Sequence, residues 1–141
     1  RLWVQEYNKK TDHHMVQHGL KLAGVMNAYA SLNELMQIIA ISAHRQVEIN
    51  CPACNEVSID EHMLLDAIAF WMTGEATYKY ELLTISLLPV AAARCAEKTL
   101  INIASNFKIA GHIIRRRFLV GTSNSKTKAK IRHEPAQPTI H

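Results

Sequence analysis

The sequence predicts an all-α fold: a single-domain bundle of four to five antiparallel helices followed by a basic C-terminal tail. Three observations carry this expectation. From Thr11 onward apolar residues recur three or four positions apart, the period of a helix with one buried face, and nothing alternates over enough residues to make a sheet. Glycine (5) and proline (4) are sparse among 141 residues, which argues for long elements joined by few turns. Ser58-Ile59-Asp60-Glu61 spells a capping box, in which the Ser58 hydroxyl accepts from the Glu61 N–H and the Glu61 carboxylate from the Ser58 N–H.

The elements follow in order. A separate N-terminal helix contains Trp3, Val4 and Tyr7. An amphipathic helix then runs to about Val47, with Val25, Tyr29, Leu32, Leu35 or Met36, Ile39 and Ala43 on one face and Asn33, Gln37, His44 and Glu48 on the other. Gly19 and Gly24 are its expected breaks or close-approach points, since glycine costs about 1 kcal/mol relative to alanine inside a helix. Ile49 to Ser58 forms the first clear loop. The capping box opens a helix that buries Met63, Leu64, Ala67, Ile68 and Trp71 and stops near Thr73-Gly74, and two acids in its first turn complement the helix dipole. A further helix is expected from about Glu75 to Leu88, with Tyr78, Leu82, Ile85 and Leu88 inward. Pro89 suits the first turn of the last helix, whose stripe is Leu100, Ile103, Ala104, Phe107 and Ala110. Gly111 is the preferred stop, and continuation to Phe118 is the alternative.

Composition sets broad limits. With 48% apolar and 20% charged residues the chain is globular, and its length suits one domain with a real core. Residues 1–120 are expected to form the bundle and residues 121–141, rich in Ser, Thr, Lys, Asn and Pro, a flexible tail. Three cysteines, an odd number, and no visible signal peptide fit a reducing compartment, so cytoplasm is expected; the start at Arg1-Leu2-Trp3-Val4 leaves room for a preceding leader. No apolar run reads as a transmembrane span.

Chemistry concentrates at Cys51-Pro52-Ala53-Cys54. Two thiols at this spacing supply half of a tetrahedral zinc site, and His44 and His62, on either side of the loop, are the nearest candidates for the other two ligands. Asp66, one turn after His62, is placed to orient its imidazole, and Cys95 is the substitute ligand. The same motif read as a redox dithiol lacks the helix start that lowers a thiol pKa in such proteins. The plainer alternative is a loop with two ordinary thiols. His14 and His18 lie four apart on one helix face, but no Glu-x-x-His or His-Glu-x-x-His accompanies them, so with His13 they read as a polar helix start.

Enzyme templates fail: the sequence has no Gly-x-Gly-x-x-Gly, no phosphate loop and no Gly-x-Ser-x-Gly. The expected function is therefore a non-enzymatic helical interaction or regulatory module. Broad apolar coverage from Ile59 to Met72 points to self-association or to a protein partner. The alternatives are a zinc-binding or thiol-redox regulator using Cys51 and Cys54, and a weak binder of nucleic acid or an anionic surface.

The last alternative comes from charge. Arg115, Arg116, Arg117, Lys126, Lys128, Lys130 and Arg132 form an acid-free block, while the remaining nine Lys and Arg are outnumbered by twelve acids; the net charge of +4 thus belongs to the C-terminal segment. Binding through this arm should be unselective and steeply salt-dependent, with the logarithm of affinity falling by about 0.9 per phosphate contacted on duplex DNA. Truncation after Val120 should abolish it in a salt titration. Binding that survives the truncation places the electrostatic site elsewhere.

Overall fold

The computed structural model describes residues 1–12, 14–74 and 87–115. Among them stand five α-helices and one 3-10 turn: α1 (Leu2–Lys9), α2 (His14–Leu22), η1 (Met26–Ala28), α3 (Tyr29–Ser42), α4 (Ile59–Thr73) and α5 (Val90–Ile109). No strand occurs among the described residues, as the periodicity requires. The expected helix from Glu75 and the tail from residue 121 lie outside the described residues, except for Leu87 and Leu88.

Three helices end by the same device. After α2 the Gly24 N–H donates to the Lys21 carbonyl (3.0 Å) and the Val25 N–H to the Leu20 carbonyl (2.9 Å); after α5 Gly111 donates to Lys108 (3.0 Å) and His112 to Phe107 (2.9 Å). After α1 the donors are Lys10 and Thr11 and the acceptors Tyr7 and Glu6. These paired bonds satisfy carbonyls that the helix leaves open and require a left-handed residue between them. Gly24 (φ 71°) and Gly111 (φ 80°) adopt that conformation freely, whereas Lys10 (φ 53°) does so with a Cβ in place. The expected stop at Gly111 is thus found. Gly19 is neither a break nor a close approach: it lies inside α2, and a Cβ built on it would meet nothing within 4 Å.

The single helix expected to run to Val47 is instead divided. Gly24 ends α2, η1 turns the chain, and α3 stops at Ser42, where Ala43 takes an extended conformation (φ −62°, ψ 137°). The loop before α4 therefore begins at Ala43, six residues earlier than the sequence pattern indicates. Tertiary bonds override local helix propensity there: the His44 N–H donates to the Leu87 carbonyl (2.9 Å), and Arg45 is drawn to Asp60. Leu87 and Leu88, expected at the end of a helix, are not helical: Pro89 disfavours the helical conformation of Leu88 before it, and the Leu87 carbonyl is taken by the His44 N–H. Pro89 itself is the N-cap of α5, one position earlier than expected.

The core forms where α5 packs against both α3 and α4. Leu35 and Ile39 of α3, Ala67 and Ile68 of α4, and Ala93, Ala96, Leu100, Ile103 and Ala104 of α5 meet there, joined by Leu87 and Leu88. The buried residues of the first turns of α5 are the small Ala93 and Ala96, and the larger Leu100 and Ile103 follow them toward its C-terminal half. Each such large side chain removed from water contributes about 1.5–3 kcal/mol. Thr99 is the one polar core residue of α5, and its hydroxyl donates to the Ala96 carbonyl at 2.7 Å. Of the face expected to be buried in α4, Ala67 and Ile68 are buried while Met63, Leu64 and Trp71 are half-buried against the core; Ala69 and Phe70 are buried in addition. Among the described residues, no helix is long and apolar enough to cross a membrane.

The smaller helices are fastened by polar contacts. Trp3 stacks on Tyr7 (4.7 Å between centroids), and its indole N–H donates to Asn33 Oδ1 at 2.8 Å, tying α1 to α3. The buried Glu6 carboxylate accepts from the N–H groups of Met15 (2.7 Å) and Val16 (3.4 Å), so α1 supplies the cap for the start of α2.

At the start of α4 the capping box is complete: Ser58 Oγ accepts from the Glu61 N–H at 3.1 Å, and Glu61 Oε2 accepts from the Ser58 N–H at 2.9 Å. The Ser58 hydroxyl also donates to the Glu48 carbonyl, so it ties the loop as well as the helix. Ser58→Ala removes both bonds from a buried site and should cost about 2 kcal/mol, more than an exposed cap alone, as read from the urea midpoint.

Candidate functional site

The loop from Ala43 to Ser58 is irregular, yet it is held by two arginine–carboxylate pairs built on the first turn of α4. Arg45 donates to Asp60 through both terminal nitrogens, at 2.8 and 2.6 Å, and the Glu48 N–H adds a third bond at 2.7 Å. Arg1 donates to Glu61 through Nε (2.6 Å) and Nη2 (3.0 Å). Both carboxylates are buried. A buried carboxylate is costly unless paired, and these are paired in the bidentate geometry that suits guanidinium.

The remaining Arg1 hydrogens reach the backbone of the cysteine motif. Nη1 donates to the Cys54 carbonyl and meets that of Cys51 at 3.5 Å, while Nη2 donates to the Glu56 carbonyl. Asn50 adds a side-chain bond to the same Glu56 carbonyl at 3.0 Å. Within the motif the Cys54 N–H donates to the Cys51 carbonyl at 3.1 Å, closing a tight turn over Pro52 and Ala53. Both thiols are free, that of Cys51 exposed and that of Cys54 half-buried.

The other residues singled out by sequence are dispersed. His44 is exposed in the loop, with its backbone committed to Leu87, and does not stand on a helical turn as the pattern indicates. His62 is half-buried in α4, and Cys95 is exposed on α5. Among the described residues, no three His, Cys, Asp or Glu side chains come together as a group able to hold a metal ion, so His44 and His62 do not join Cys51 and Cys54 within one chain. His14 is exposed at the start of α2, 3.5 Å from Asp12, and His18 is exposed on the same helix; His13 lies outside the described residues. Of the basic block only Arg115 is described, and it is exposed; Arg116, Arg117, Lys126, Lys128, Lys130 and Arg132 lie outside.

Two cavities flank α4. One, about 580 Å³, is lined by Val57, His62, Leu65, Asp66, Ile114 and Arg115, with Ile113 beside them. The other, about 400 Å³, is floored by Leu32, Leu35, Met36, Leu64 and Ile68, with Arg1 and Glu61 among the lining residues. Val57 and Leu65 line both, so the two adjoin along α4 as a groove divided at these side chains. Asn55 lines the second cavity, which places the cysteine loop beside the groove. Sequence reading missed this groove because it joins residues from α3, the loop, α4 and the segment after α5. No family model, no curated relative and no solved structure matches the chain.

The ion pairs set a pH dependence. Hydrogen bonds from the Arg45 guanidinium hold Asp60 below the usual carboxylate range against the opposing effect of burial, helped by the Glu48 N–H. Burial pushes Glu61 upward, but the Arg1 guanidinium, the Ser58 N–H and the charge on Arg1 together outweigh it and lower its pKa. Carboxylates lowered in the folded state contribute stability that is complete above their unfolded values, about 3.9 for Asp and 4.3 for Glu, and is lost as pH falls through the lower folded values. Thermal unfolding followed by circular dichroism should show a midpoint that drops as pH falls below about 4, and the drop should be shallower in the Asp60→Asn, Glu61→Gln variant.

Proposed function

We propose that the chain is a non-enzymatic helical interaction module that self-associates through the groove along α4. The observation that carries this reading is the groove's apolar exposure. Val57 is 37% exposed, Leu65 41% and Ile113 77%, and Ile59, 64% exposed, stands at the start of the same helix. Large apolar side chains gathered around a concave apolar surface mark an interaction site, whereas singly scattered ones do not. An apolar patch of this kind suits a two-fold contact, in which the same patch meets itself.

Leu65 lines both cavities and lies on the exposed side of α4, so its replacement tests the interface without opening the core. In sedimentation or light scattering the protein should behave as a dimer at micromolar concentration, and Leu65→Glu should be monomeric with unchanged helical circular dichroism and an unfolding midpoint close to that of the monomer limit. A protein that stays monomeric at high concentration would falsify the reading.

A further inference from the structure

We infer that Cys51 and Cys54 are half of a tetrahedral thiolate site for zinc, completed by the same two residues of a second copy of the chain. The inference rests on the self-association proposed above and names what joins the copies.

The turn has the shape of a ligand pair. It is closed by the Cys54 N–H on the Cys51 carbonyl, and Lys10 is the only non-glycine residue with positive φ among the described residues, so Ala53 has negative φ and the turn is type I rather than type II. Pro52 presets its first corner. Such a turn keeps its end Cα atoms within about 7 Å, from which two thiolates can share one ion at Zn–S distances of about 2.3 Å.

The turn is also anchored from behind. Arg1 holds the carbonyls of Cys51, Cys54 and Glu56, and the opposite side of the same guanidinium is fixed to Glu61 in α4. The backbone is therefore ordered before any ion arrives, which reduces the entropic cost of binding. The thiols have no disulfide partner.

The donor count then decides the partner. Zinc in a structural site takes four ligands, the turn offers two, and no third His, Cys, Asp or Glu joins them among the described residues. A two-fold axis through the ion supplies an identical pair. Cys51, Pro52 and Ala53 are all exposed, so two such turns can approach each other, and Asn55 sets this tip beside the groove proposed as the interface. On binding, four S–H bonds break, four Zn–S bonds form and four protons leave to solvent, with no electron transferred.

The test uses the whole chain, reduced and stripped of metal, titrated with zinc chloride while metal content and mass are followed. The expected result is one zinc per two chains at a dimer mass, with Cys51 and Cys54 protected from alkylation and Cys95 still reactive. Cys51→Ser and Cys54→Ser should each abolish zinc uptake while keeping the helical circular dichroism, and Cys95→Ser should leave uptake unchanged. One zinc per monomer, or loss of uptake in Cys95→Ser, would overturn the inference by placing the missing ligands elsewhere. A dimer that forms without zinc and takes up none would overturn it too, yet leave self-association standing. A chain that is monomeric with and without zinc removes both.

Discussion

Asp60 and Glu61, adjacent carboxylates in the first turn of α4, organise the long loop that precedes that helix. Each is buried, and each has a guanidinium brought from far along the chain, Arg45 for Asp60 and Arg1 for Glu61. Sixteen residues of irregular chain, from Ala43 to Ser58, would otherwise lose conformational entropy with little to offset it. The pairs supply that offset locally. Asp60 fixes the Glu48 N–H, Ser58 fixes the Glu48 carbonyl, and Arg1 fixes three carbonyls around the cysteine turn. Because removing one partner would leave a buried charge, the arrangement is held as a set rather than as separate bonds.

The helix–dipole argument explains why the carboxylates stand where they do. The open N–H groups of α4 favour negative charge at its first turn, and Ser58 and Glu61 satisfy two of those donors reciprocally. Glu61 thus serves the helix through one hydrogen bond and the loop through its bonds to Arg1. The same logic recurs across α1 and α2, where Glu6 accepts from two N–H groups at the start of a helix that is not its own. In both places a helix end is completed by a carboxylate whose position depends on tertiary packing.

That distinction accounts for what the amino-acid sequence discloses. Signals that act within a few residues are legible: the capping box at Ser58, the left-handed glycines after α2 and α5, and the period-3.6 stripes of α3, α4 and α5 appear in the structure, except that Ala110, expected on the α5 stripe, is exposed beyond the helix end. Signals that depend on residues far apart are not. Nothing local to Arg45 or Glu48 announces Asp60, so the sequence pattern carries the helix past Ser42 and places His44 on it, whereas His44 stands in the loop. Glu6 and Asn33 read as ordinary polar positions until Met15 and Trp3 are set beside them. The groove was foreshadowed only by the broad apolar coverage of α4, since its other walls come from α3, the loop and residues 113–115.

The cysteine turn and the groove share one support, and this has a mechanical consequence. Arg1 and Glu61 both line the cavity floored by α3 and α4, and Arg1 also holds the turn. A surface pressed into the groove would bear on the residues that fix the turn, and a ligand on the turn would bear on the groove. The two surfaces thus share a single guanidinium–carboxylate pair rather than a long chain of contacts. Because Glu61 also caps α4, the pair cannot be displaced without loosening the helix that forms one wall of the groove. A surface in the groove or a ligand on the turn would therefore meet a framework already fixed by the same pair, and stabilising the pair favours both.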